Sequence, residues 1–306
     1  MRPSRLAAAA VTAVAAAVLI TPPASAETLA GEWAAFGNCP VDAAAMLAAD
    51  GVDVVATCLA GGAPDGTIDM GDTTLPVGAV DMQYGLLNRG GTYTLVSPAN
   101  GGLTGEPISI PGGLLGLMCP SDIPVISDIC EAVVGSPLNT VTATLEPAGA
   151  PTNFDLSAAT AIGRPIMTIP IKVRLQNPFL ARTCYIGSNS DPIRLTVSNQ
   201  TRPTARFVRF NADGTPNPTG EMNYLQLSGA TMGDTTFAVP GARGCGLLGL
   251  IDSVVNGRQG LPSPAGENSL VLNNTTFKVG GFQNPRAFAP TQGRQLADRW
   301  HAAVVD

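Results

Sequence analysis

The chain has 306 residues, with 17 Lys and Arg against 23 Asp and Glu, and a net charge of −6. Such an acidic, cation-poor composition excludes a nucleic-acid partner, which needs clustered Lys and Arg to displace counterions from phosphates. Aromatic residues make up only 5% of the chain, which argues against a sugar site built on stacked rings.

The first element is a leader. Arg2 and Arg5 precede an apolar run from Leu6 to Ile20, and "TPPASA" ends in small residues at Ala24 and Ala26. This is the pattern of a secretory signal peptide over 1–26, with cleavage expected before Glu27. The run is shorter than the roughly 20 residues of a membrane span, and no later segment reaches that length. The region 27–306 is therefore expected to be secreted, extracellular or loosely wall-associated, with no transmembrane anchor.

All six cysteines follow the leader: Cys39, Cys58, Cys119, Cys130, Cys184 and Cys245. In an exported chain an even number reads as disulfides. Nearest-neighbour pairing is expected: 39 with 58, 119 with 130, 184 with 245. No C-x-x-C pair occurs and His301 is the only histidine, so the pattern does not suit structural zinc.

Helices are expected to be few. "VDAAAMLAADG" (41–51) is the first, stopped by Gly51. "SDIPVISDICEAVVG" (121–135) carries Pro124 in its first turn. "GLLGLIDSVVNG" (246–257) and "RQLADRWHAAVV" (294–305) complete the set, the last placing Leu296, Trp300 and Val304 four apart.

Between them lie short Val-, Ile-, Thr- and Leu-rich runs punctuated by 35 Gly and 26 Pro. In "IPIKVRLQ", Ile171, Val173 and Leu175 alternate with Lys172, Arg174 and Gln176, which gives a strand one apolar face. Val141, Ala143 and Leu145 repeat the pattern, as do Ile193, Leu195 and Val197. "ARFVRFN" (205–211) is apolar on both sides and is expected to be a more buried strand. Nothing alternates helix with strand as a parallel α/β sheet requires. The predicted fold is all-β: a β-sandwich, one large or in two lobes (27–150 and 151–306), with a few short helices and three disulfides.

Two peptides recur. "MGDTT" stands at 70–74 and 232–236, and "GLLGL" at 113–117 and 246–250. The two matches demand incompatible alignments, so they read as reused local devices rather than a tandem repeat.

The stretches "GNCPVDAAAMLAADGVDVVATC" (37–58), "IPGGLLGLMCPSDIPVISDIC" (110–130) and "NPFLARTCYIGSNSDPI" (177–193) resemble a family of uncharacterised secreted proteins from actinobacteria, marked by GNCP and PGGLLGLMCPS motifs. The resemblance covers nearly all of 27–306. It implies export from a bacterial cell and carries no activity or catalytic residue with it.

No catalytic residue is expected. His301 lacks a G-x-S-x-G elbow to serve and reads as a helix-end residue. Asp65, Asp69, Asp72, Glu106, Glu221 and Asp234 lie in or near loops, and two of them facing each other would suffice for a carboxylate hydrolase. Asp65, Asp69 and Asp72 are also weak calcium candidates, off the spacing of a helix–loop–helix site. "NADGTPNPTGE" (211–221) shares that look. In both stretches Asp-Gly turn chemistry explains the acids. The leucines of the GLLGL pair (Leu114, Leu115, Leu117, Leu247, Leu248, Leu250) are expected either to pack in the core or to form an apolar ligand or partner patch.

The reading is thus a secreted, non-enzymatic structural, adhesive or binding protein of the cell envelope exterior, without cofactor, whose partner is a cell-wall, protein or lipid component. The alternatives are a lipid carrier using the GLLGL segments, a carboxylate hydrolase and an envelope channel.

Overall fold

The computed structural model describes residues Glu27–Val305, so the leader 1–26 lies outside the described residues. The chain first makes one long bent hairpin. β1 (Val55–Ala63) and β2 (Asp65–Met70) ascend, and β3 (Thr73–Val77) and β4 (Val80–Arg89) return beside them. β5 (Thr92–Val96), β6 (Leu103–Gly105) and β7 (Ile108–Ser109) follow. Then come β8 (Thr142–Pro147), β9 (Pro165–Gln176), β10 (Tyr185–Ile186), β11 (Ile193–Asn199) and β12 (Thr204–Phe210). The last three are β13 (Met222–Asp234), β14 (Ala242–Arg243) and β15 (Ser269–Phe282). All fifteen described strands join one antiparallel sheet.

The sheet has two storeys. In the lower one the order is β12–β13–β15–β1–β4–β5. In the upper one β11 replaces β12 beside β13, β2 replaces β1 beside β15, and β9 and β8 extend the row. The row curls until its ends meet. β6 pairs with β4, and a Cβ at Gly105 would stand only 3.5 Å from the Leu145 Cβ of β8. The walls β2–β15 and β8–β9–β11 then pack inner face against inner face, so a single curled sheet supplies both layers of the all-β fold.

The sequence supplies the bend. Pro64 separates β1 from β2, and Gly78 and Ala79 separate β3 from β4. Gly229 (φ +81°) and Asn274 (φ +46°) lie at the shifts of register between β13 and β15. Four neighbouring strands therefore break at one level, as bulges and strand-interrupting residues allow.

Below the bend, the outer face is covered by both ends of the described chain. A 3₁₀ turn at Gly31–Phe36, α1 (Ala44–Leu47) and the terminal helix Gln292–Ala302 bury Trp33, Phe36, Met46, Leu296 and Trp300 against Tyr224 and Phe282. Each such side chain contributes roughly 1.5–3 kcal/mol when fully buried. The layer sits close because the sheet carries glycine beneath it. A Cβ at Gly280 would lie 2.8 Å from Phe36, and one at Gly85 would lie 2.6 Å from the Met46 sulfur. Two buried polar groups of this layer are paired: Gln292 bonds both the N–H (2.9 Å) and C=O (2.8 Å) of Ala56, and the Trp300 indole donates to Phe36 O at 2.8 Å. Both tryptophans lie in this one layer.

Above the bend, α2 (Gly113–Met118), α3 (Pro124–Val133) and α4 (Leu250–Arg258) close the top of the curl; α5 is the terminal helix already described, Gln292–Ala302. The buried Gln259 ties three pieces together. Its amide donates to Gly116 O (3.1 Å) and Leu117 O (3.2 Å), its side-chain oxygen accepts from Thr73 Oγ1, and its backbone O accepts from Asp72 N at 2.9 Å. The disulfides are Cys39–Cys58, Cys119–Cys130 and Cys184–Cys245, the nearest-neighbour set. They pin the end layer to β1, α2 to α3, and β10 to the lead-in of α4. No helix among the described residues is long and apolar enough to cross a membrane.

β12 corrects one expectation. Only its last residues are buried, and Phe207 is 73% exposed. The strand pairs with β13 alone, so as an edge it covers one side of its apolar pattern and leaves the other in water.

Candidate ligand cavity

Between the upper walls the side chains do not meet fully. A cavity of about 90 Å³ remains, and a second of about 70 Å³ adjoins it at the bend, the two sharing Val80, Leu103, Ile169, Val197 and Leu272. One wall presents Ile68, Met70 and Leu270. The facing wall presents Ile171, Val173 and Leu195, and Ala143 and Leu145 of β8 complete the circuit. These are the inward positions of alternating strands, so the cavity follows directly from the period-two pattern. Gly61 leaves room in the second space, since a Cβ there would reach 3.2 Å from Met82 and 3.4 Å from Phe277. Its floor is closed by packed rings, Phe154 standing 5.7 Å from Phe277 and 5.4 Å from Tyr93.

The mouth lies where the curl is incomplete. β3 pairs only with β2, and β7 only with β8, so no ladder joins β3 to β7. The half-buried Val77, Gly78, Val80 and Ile108 rim this seam together with the exposed Glu106. Among the described residues, Glu106 is the sole charged residue lining the upper cavity. Its backbone N–H donates to Ala79 O at 2.9 Å, and its Oε2 accepts from Ala79 N at 3.4 Å. A Cβ at Gly78 would come within 3.1 Å of Oε2, so glycine there keeps the carboxylate at the rim. Asp81 stands next along β4. It turns its carboxylate to the outer face, where Gln83 donates to it at 3.0 Å. Desolvation by the sheet raises its pKa, and the Gln83 bond opposes the rise. Such a space can hold a small apolar group dry, since an empty cavity lined by aliphatic side chains does not attract water.

The residues singled out in the sequence fall elsewhere. Leu114 and Leu117 are fully buried in the core beside the cavity, Leu115 is half-buried, Leu250 is 48% exposed and Leu248 is 95% exposed. The Leu247 side chain lies outside what is described. None of the other five lines the cavity. Asp65 and Asp69 share the outer face of β2, where Asp65 accepts from Asn273 (2.7 Å) and Asp69 from Ser269 (2.5 Å) and Thr74 (2.6 Å). These two hydroxyls hold the Asp69 carboxyl below its ordinary pKa. Asp72 sits at the hairpin tip. The Asp213 carboxylate accepts from the N–H and hydroxyl of Thr215, a local turn. Glu221 pairs with Arg299 at 2.8 Å, and the buried Asp234 accepts from Thr196 N at 2.6 Å and from Thr236. Among the described residues no three metal-ligating side chains cluster. His301 bonds Asp42 at 2.9 Å on the surface.

No protein-family model matches the chain, and no curated protein or solved structure matches it.

Proposed function

We propose that the chain is an exported, non-catalytic binding protein that holds a small apolar ligand between the walls of its curled sheet. One observation carries this reading: apart from Glu106 at the rim, every described residue lining the upper cavity is aliphatic, methionine or glycine. A polar or reactive substrate finds no partner there, whereas apolar surface gains roughly 25 cal/mol per Å² on leaving water. The ligand site so proposed belongs to the strands, and the described GLLGL leucines lie outside it. The three disulfides fit an oxidising compartment outside the cell, in keeping with the secretory leader read in the sequence.

The test is calorimetric titration of n-octanol into the purified protein and into an Ala143→Leu variant. Ala143 lines the cavity and is 2% exposed, so the larger side chain fills the space. Saturable binding to the parent, weakened at least about tenfold in a variant that still melts cooperatively, is the expected result; tenfold is about 1.4 kcal/mol. Equal binding to both proteins, or none to either, ends the reading.

A further inference from the structure

The cavity's chemistry also selects the head group of its ligand, an inference that rests on the apolar-ligand reading above. Among the described residues, Glu106 is the one acidic or basic side chain lining the upper cavity. Its carboxylate has no cationic partner within salt-bridge distance among the described residues and takes only the long Ala79 N–H bond. The cations on the flanking strand do not serve it: Lys172 and Arg174 of β9 turn outward and share Glu146 at 3.6 and 3.9 Å. The carboxylate next along β4, Asp81, adds further negative charge on the outer side of the same rim. A fatty-acid anion seated in the cavity would bring its own carboxylate to this acidic rim. A protonated amine would meet an unpaired counter-ion there, at the exposed rim of the apolar wall.

Size sets the other limit. The adjoining spaces total about 160 Å³, comparable with an engineered cavity of about 150 Å³ that holds benzene. That volume suits an apolar group of about six to eight carbons rather than a full membrane lipid. We propose that the cavity takes a small cationic amphiphile: a protonated primary amine on a compact alkyl or aryl group, its tail between the walls and its ammonium on Glu106.

The experiment compares n-octylamine, n-octanol and n-octanoate at pH 7 on the full protein, with Glu106→Gln and Glu106→Lys variants. Expected is an affinity for octylamine about tenfold above that for octanoate at low ionic strength, the sum of one attraction gained and one repulsion avoided at a partly exposed charge. The ratio shrinks toward unity at 1 M salt, where the Debye length is about 3 Å. It also approaches unity in Glu106→Gln and inverts in Glu106→Lys. Octanoate binding as tightly as octylamine, or a ratio that survives Glu106→Gln, overturns the assignment while leaving the apolar site standing. Absence of octanol binding removes the site itself and the amine assignment with it.

Discussion

Gly113–Leu117 and Gly246–Leu250 have the same five residues and different structures. The first copy is the body of α2, with Leu114 and Leu117 at 0% and 2% exposure. The second bends through a short 3₁₀ turn with Leu248 at φ +58° and Gly249 at φ +73°, and its Leu248 is 95% exposed. Polar neighbours account for the difference. Asn139 caps the first copy by accepting from Leu115 N at 2.9 Å and donating to Gly112 O at 3.1 Å. Asp252 instead takes Gly244 N (3.0 Å) and Cys245 N (2.7 Å), anchoring the chain just before the second copy, and the helix starts only at Leu250, the peptide's last residue. A peptide this short adopts the helix boundary that its surroundings satisfy.

The sharpest test of this contrast is truncation at matching positions. Leu114→Ala should cost about 2–5 kcal/mol by urea unfolding, as buried leucine truncations do. Leu248→Ala should stay within about 0.5 kcal/mol, as exposed substitutions do. Equal losses would mean that both copies are core. A smaller effect comes from the cap. Asn139→Ala leaves Leu115 N and Gly112 O without these partners and should lower stability by about 1–3 kcal/mol, with hydrogen exchange accelerated in α2 and unchanged in α4.

The MGDTT pair extends the comparison at lower amplitude. Its first copy forms the tip of the β2–β3 hairpin, where Thr74 bonds Asp69; its second ends β13, with Asp234 taken up by Thr196 and Thr236. Because the folded Asp69 pKa is depressed, its stabilising contribution is complete above the unfolded value of about 3.9 and is lost as pH falls through the folded value. Asp69→Asn should therefore be less stable than the parent at neutral pH and converge with it in acid. A constant offset across the acid range would show that the ionised form is not what Ser269 and Thr74 favour.

Much of the cavity wall was legible. Ile171, Val173, Leu195, Val197, Ala143 and Leu145 stood out as the apolar face of alternating strands, and all six line the space. The nearest-neighbour cysteine pairing, one of the 15 that six cysteines allow, is the one the structure has. The long β1–β4 hairpin was not, because "CLAGGAPDG" has weak strand propensity and is held by β15, a partner distant in sequence. Glu106 was one loop acid among six, and only the seam between β3 and β7 distinguishes it. Phe207 misled because alternation reports which residues are apolar and says nothing about whether a second layer covers them.

The layer beneath the bend also sets a timetable. Trp300 donates to a carbonyl 264 positions earlier, and Gln292 grips a strand 236 positions away. The layer therefore stays unclosed on that face until Gln292–Ala302 has been made. At a synthesis rate of about 5–20 residues per second, a nascent chain stays incomplete for roughly a quarter of a minute to a minute. During that time it presents unpaired strand edges and greasy rings to whatever is nearby. The fold shuts at its base only when Gln292–Ala302 meets a strand made 236 positions earlier.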